Sequence, residues 1–154
     1  MLSVMMGLHL LAAVIWVGGM FFAYVVLRPV AGSQFEVPQR LRLWSTLFKK
    51  FFSWVWLAIL VLPITGVAIA TRLFGGIGSS PLYVHGMFML GGVMILVFLY
   101  LYHVPFRQLK EAVVIENWSR GGELLARIRK LVLLNLGLGL VVVSIAGAGR
   151  FLLG

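Results

Sequence analysis

Cysteine and aspartate are both absent from this 154-residue sequence, and glutamate occurs only four times. Without cysteine there is no disulfide, thiolate metal site, iron–sulfur cluster or thiol nucleophile, which leaves histidine and methionine as the soft ligands. All four glutamates (Glu36, Glu111, Glu116 and Glu123) lie outside the long apolar runs. A carboxylate proton relay through those runs is therefore excluded, as is a hard-cation channel lined by acids. No Ser-His-Asp set, phosphate-binding loop or carboxylate pair is present either. Charge of any kind is scarce: 11% of residues are charged and 62% are hydrophobic, against about 25% and about 45–50% in soluble domains. With a mean hydropathy of +1.07, the excess is too large for a water-exposed surface to hide. The solvent it fits is a lipid bilayer.

Four apolar runs account for most of the chain, at about residues 2–28, 51–72, 81–105 and 131–149. Each is near the roughly 20 residues that a membrane-crossing helix needs. An open sheet would leave unpaired backbone in lipid, so the runs predict helices. The expected fold is all-α: one integral membrane four-helix bundle occupying residues 1–154. The first run is too long for a signal-peptide core and has no basic leader, so it reads as a retained helix. Pro38 suits the first turn of a helix running through Arg40–Lys50, and Asn117 or Ser119 is placed to cap a helix leading into the fourth run. Gly75-Gly76-Ile77-Gly78-Ser79-Ser80-Pro81 reads as a flexible loop between the second and third runs.

Thirteen Lys and Arg give a formal charge of +9, but their positions say more than their sum. Arg28, Arg40, Arg42, Lys49 and Lys50 follow the first run; Arg107, Lys110, Arg120, Arg127, Arg129 and Lys130 follow the third. Arg72 and Arg150 are the two at the other end. No aromatic-and-basic reading surface accompanies them, so nucleic acid is not an expected partner. The positive-inside bias places the two basic segments in the cytoplasm and both termini on the periplasmic side of a bacterial inner membrane. Trp44, Trp54, Trp56 and Trp118 read as interfacial anchors.

Three histidines carry most of the remaining chemistry. His9 precedes Arg28, and His85 precedes Arg107, by distances that put both imidazoles about 30 Å from the basic end on parallel spans. Met5, His9, Ala13, Trp16 and Met20 share one helical face; His85, Met89, Gly92 and Leu96 share another, to which His103 returns. Two level histidines on two helices suit axial ligation of one haem iron, with Gly86, Gly91, Gly92, Gly137 and Gly139 leaving room for a flat ring. The i,i+4 pairs Met5–His9 and His85–Met89 equally suit Cu(I), because thioether is soft and imidazole suits copper. The bland alternative is a pair of interfacial histidines, as expected for His103, in an accessory subunit that binds neither. Arg72 and Arg150 are candidates to pair with haem propionates or lipid phosphate. Pro63 with Thr65-Gly66 predicts a local kink in the second span, and Asn135 predicts a bond to a neighbouring helix.

The opening Leu8-His9-Leu10-Leu11-Ala12-Ala13-Val14-Ile15-Trp16-Val17-Gly18-Gly19, closed by Arg28-Pro29, resembles the CopD-like family of bacterial inner-membrane proteins. So do Phe51-Phe52-Ser53-Trp54-Val55-Trp56, Thr65-Gly66, Pro81-Leu82-Tyr83-Val84-His85 and Asn135-Leu136-Gly137-Leu138-Gly139. The resemblance implies a stand-alone four-helix member of a family associated with copper resistance and uptake. The fold is also similar to membrane b-type cytochromes and the four-helix protoporphyrinogen oxidase group, whose haem ligands are helix histidines. That likeness implies His9 and His85 as ligands. The chain lacks the extra spans of the copper-uptake proteins and the oxidases' motif after the first helix. The expectation at this level is a bis-His haem-b protein passing electrons between a quinone or redox-protein partner and the periplasm, with a copper-binding protein using Met5, His9, His85 and Met89 as the alternative. The Gly-rich spans would also permit a homodimer.

Overall fold

The computed structural model describes the backbone of residues 1–152 and the side chains through Gly149 and at Phe151. Six α-helices form four spans. They are α1 (Leu2–Phe21), α2 (Arg28–Gln34), α3 (Val37–Phe74), α4 (Leu82–Leu101), α5 (Arg107–Val114) and α6 (Trp118–Leu152). Wide π-helical turns, Phe22–Leu27 and Tyr102–Phe106, join α1 to α2 and α4 to α5. Proline explains both. A proline cannot donate to the carbonyl four residues back and its ring collides with that carbonyl. Widening the turn ahead of Pro29 and around Pro105 relieves the clash, and the Arg28 N–H accordingly reaches back five residues to the Ala23 carbonyl.

The continuous helices Leu2–Gln34, Val37–Phe74, Leu82–Val114 and Trp118–Gly149 are each long and apolar enough to cross a membrane. No strand occurs among the described residues. The chain is thus an all-α, multi-pass membrane protein. All four helices run past the apolar segments at the basic end, so the segments between the predicted spans are largely helical there. Pro38 lies in the first turn of α3. Asn117 caps α6, its Oδ1 accepting the Arg120 N–H at 3.1 Å. At the opposite end Gly75 (φ +78°) and Gly76 (φ +136°) stop α3 in left-handed backbone that other residues rarely adopt. The Ser80 hydroxyl then closes the following turn on the Gly76 carbonyl at 2.8 Å.

The principal packing pairs are α1 with α3 and α4 with α6. Ala12, Trp16, Met20 and Ala23 form the buried stripe of the first span, and Trp44, Phe48, Phe52 and Val55 that of α3. The centre is aromatic: Phe52 lies edge-on to Phe98 (5.3 Å) and Phe106 (4.9 Å) and stacks near-parallel on Phe48 at 5.1 Å. Such pairs hold beyond their area burial because ring edges and faces carry opposite partial charge. Around this core, Val14, Leu60, Ile64 and Leu96 stand exposed, a surface suited to hydrocarbon and not to water. Asn135, 2% exposed, donates to the Met94 carbonyl at 3.1 Å and ties α6 to α4 as predicted.

One tryptophan departs from expectation. Trp44 is not an interfacial anchor; it is 2% exposed and packs on Phe48 at 5.1 Å. Its span is longer than the apolar run suggests, so the start of α3 packs against α5 and α6 and presents its inner face to protein. Trp54 is exposed, whereas Trp56 is half-buried against Phe98 and Tyr102 and Trp118 lies under the Arg42 guanidinium.

Candidate functional site

His9 is the predicted ligand that the fold builds most into its interior. It is half-buried on the face of α1 that meets α3, and its Nδ1 lies 2.8 Å from Thr65 Oγ1. The Thr65 hydroxyl donates its one proton to the Val61 carbonyl at 2.6 Å. A hydroxyl committed to Val61 accepts from His9, and in that tautomer the ring proton sits on Nδ1 and the lone pair of the neutral imidazole on Nε2. Orienting one ring nitrogen by a hydrogen bond so that the other can ligate is the usual arrangement around metal-bound histidine. Gly66 sits between the two rings: a Cβ there would stand at ordinary contact distance, 3.4 Å, from both His9 Cε1 and Phe88 Cζ. The contact places His9 level with Phe88, within one turn of His85 along the third span.

His85 has a matching internal bond and a different outlook. Its Nδ1 donates to the Pro81 carbonyl at 3.1 Å, which again leaves Nε2 with the lone pair. The ring is exposed, as are Met89, Gly92 and Leu96 below it. The predicted stripe on the third span is therefore real but faces outward, whereas Met5 and His9 are half-buried and continue into buried Trp16 and Met20. The structure brings the two histidines to one height and does not turn their two faces toward each other. His103, exposed, bonds the Leu99 carbonyl at 2.8 Å and lies against the edges of Trp56 and Tyr102. Arg72 is exposed near the end of α3, seven residues beyond Thr65, and the Arg150 side chain lies outside the described residues.

Among the described residues no three His or carboxylate side chains converge on a point. Met5 and Met89 each stand one helical turn from a histidine, on the faces of His9 and His85. Sequence reasoning singled out the histidines and missed Thr65 as the hydrogen-bond partner of His9. The signal was a hydroxyl two residues past Pro63 beside a glycine, which pointed only to a kink in the span.

Residues 45–148 match the family model of Copper resistance protein D. No curated protein and no solved structure matches the chain. The likeness to b-type cytochromes and porphyrinogen oxidases has no counterpart in these comparisons.

Proposed function

The chain belongs to the copper resistance protein D family, and on that premise we propose that it is a membrane protein that takes Cu(I) as cargo through Met5 and His9. The observation that carries the reading is the oriented imidazole. Thr65 Oγ1 lies 2.8 Å from Nδ1, an arrangement that leaves Nε2 for a ligand, and Met5 stands one turn away on the same helical face. A thioether and a neutral imidazole one turn apart select a soft monovalent ion over the hard cations that carboxylates bind. His85 and Met89 repeat the pair at the same height on an exposed face, a second place for the same ion at the entrance to the bundle. With the basic segments in the cytoplasm, both pairs lie toward the periplasmic side.

The haem-b reading, with its electron-transfer role, finds no support in the family match or in the outward placement of His85. An absorption spectrum separates the two readings. Cu(I) is colourless, whereas a bis-His haem gives a sharp reduced α-band. Titration of anaerobic, detergent-purified protein with Cu(I) against a chromophoric chelator tests the site itself. His9→Ala and Met5→Leu should each weaken binding. Unchanged affinity in both variants would remove these residues from the site.

A further inference from the structure

At the basic end, the first span, α3 and α6 meet around a narrow pocket lined by Ala23, Tyr24, Arg28, Trp44, Phe48, Arg129 and Val132. Two buried N–H groups of its lining, Trp44 Nε1 and Arg129 Nε, have no acceptor among the described residues, and neither has Arg40 Nε, one helical turn before Trp44 on α3. Trp44 as a whole is only 2% exposed. The charges of Arg28 and Arg40 both act on Arg129. The ion pairs found among the described residues are Arg42–Glu116, Arg107–Glu111 and Arg120–Glu123, so none of these three arginines is neutralised by a carboxylate. Arg28 lies over the Tyr24 ring at 4.8 Å, and Arg40 reaches only a long 3.5 Å contact to the Gly32 carbonyl.

Two costs coincide here. Buried donors without acceptors lose the hydrogen bonds that water gave them, and like charges crowd a partly apolar junction. One oxyanion removes both, because several N–H groups can donate to it while it neutralises the guanidinium charge. Guanidinium forks match phosphate oxygens in shape as well as charge. The depth is also right: Arg28 ends the first apolar run and Arg129 precedes the fourth, the level at which headgroup phosphates lie and basic segments attract anionic lipid.

We propose that this three-helix junction binds a phosphate group, with Trp44, Arg40 and Arg129 as donors and Arg28 completing the charge. The site is independent of the copper reading. Full-length protein stripped of lipid in dodecyl maltoside, examined by native mass spectrometry, tests it with two probes applied separately: phosphatidylglycerol and inorganic phosphate. Trp44→Phe keeps the ring and removes one donor to an anion, and should weaken binding about tenfold. Arg129→Gln should weaken it further, while exposed Arg127→Gln should leave it unchanged. Binding of the lipid with this pattern identifies a headgroup as the source, and binding of phosphate alone with the same pattern identifies the free anion. The proposal is overturned if neither probe binds. It is equally overturned if Trp44→Phe and Arg129→Gln both bind like wild type, or if Arg127→Gln lowers binding as much as Arg129→Gln does.

Discussion

Replacing Thr65 by valine isolates the hydrogen bond on which the copper reading depends. Valine keeps the shape of threonine and deletes Oγ1, which accepts from His9 at 2.8 Å and donates to Val61 at 2.6 Å. Losing the donation matters little, since the Val61 carbonyl can keep its helical partner. The lost acceptor matters more: a part-buried ring N–H without a partner costs about 1–3 kcal/mol. The ring can relieve that cost by moving its proton to Nε2, and this removes the lone pair from the nitrogen offered to the metal. Either way the ligand is degraded, and a 10–100-fold loss of metal affinity is the usual scale for such orienting groups, or about 1.4–2.7 kcal/mol at 1.36 kcal/mol per decade. Cu(I) competition titrations on wild type, Thr65→Val and Thr65→Ser measure it, with serine restoring the hydroxyl and most of the affinity. An affinity for Thr65→Val within about twofold of wild type, with His9→Ala still defective, would refute the argument that Thr65 orients the ligand.

Other consequences separate packing from chemistry. Met89→Leu, on the exposed stripe, should reduce Cu(I) uptake by intact cells or proteoliposomes while leaving the affinity measured at Met5–His9 within about threefold, the spread usual for such comparisons. A Cβ at Gly139 would stand 2.8 Å from Val17 and 3.2 Å from Met94; Gly139→Val should therefore destabilise the bundle by about 1–3 kcal/mol in thermal unfolding in detergent. At Gly137 nothing lies within 4 Å, and Gly137→Ala should be neutral or slightly stabilising in the same assay. Asn135→Leu removes a bond to Met94 together with a buried Oδ1 that has no partner. Its net effect should stay within about 1 kcal/mol, in line with the small average worth of interhelical bonds in membranes.

The spans were legible in the sequence because 20-residue apolar runs have few other solutions, and the charges marked one end of all four. Helix length was not, since hydropathy reports where lipid begins and α3 continues 14 residues before its apolar stretch. Helical phase placed Met5 with His9 and His85 with Met89 correctly on their own helices. It carries no information on how two helices are rotated against each other, which is why the outward turn of the His85 face emerged only from the packing of α4 on α6. The partnership of His9 with Thr65 spans 56 residues, and the junction of Arg28, Trp44 and Arg129 joins three segments. Neither has a local signature, and the Trp44 reading failed for the same reason.

The central claim is that this bundle binds Cu(I) through His9. The direct measurement is copper stoichiometry by elemental analysis on protein loaded anaerobically in detergent and desalted, wild type beside His9→Ala, with a visible spectrum of each. The account predicts retained copper in wild type, a lower copper content in His9→Ala, where the His85–Met89 pair remains, and no haem bands in either. Copper retained equally by both proteins, or a stoichiometric haem spectrum that disappears in His9→Ala, would contradict it.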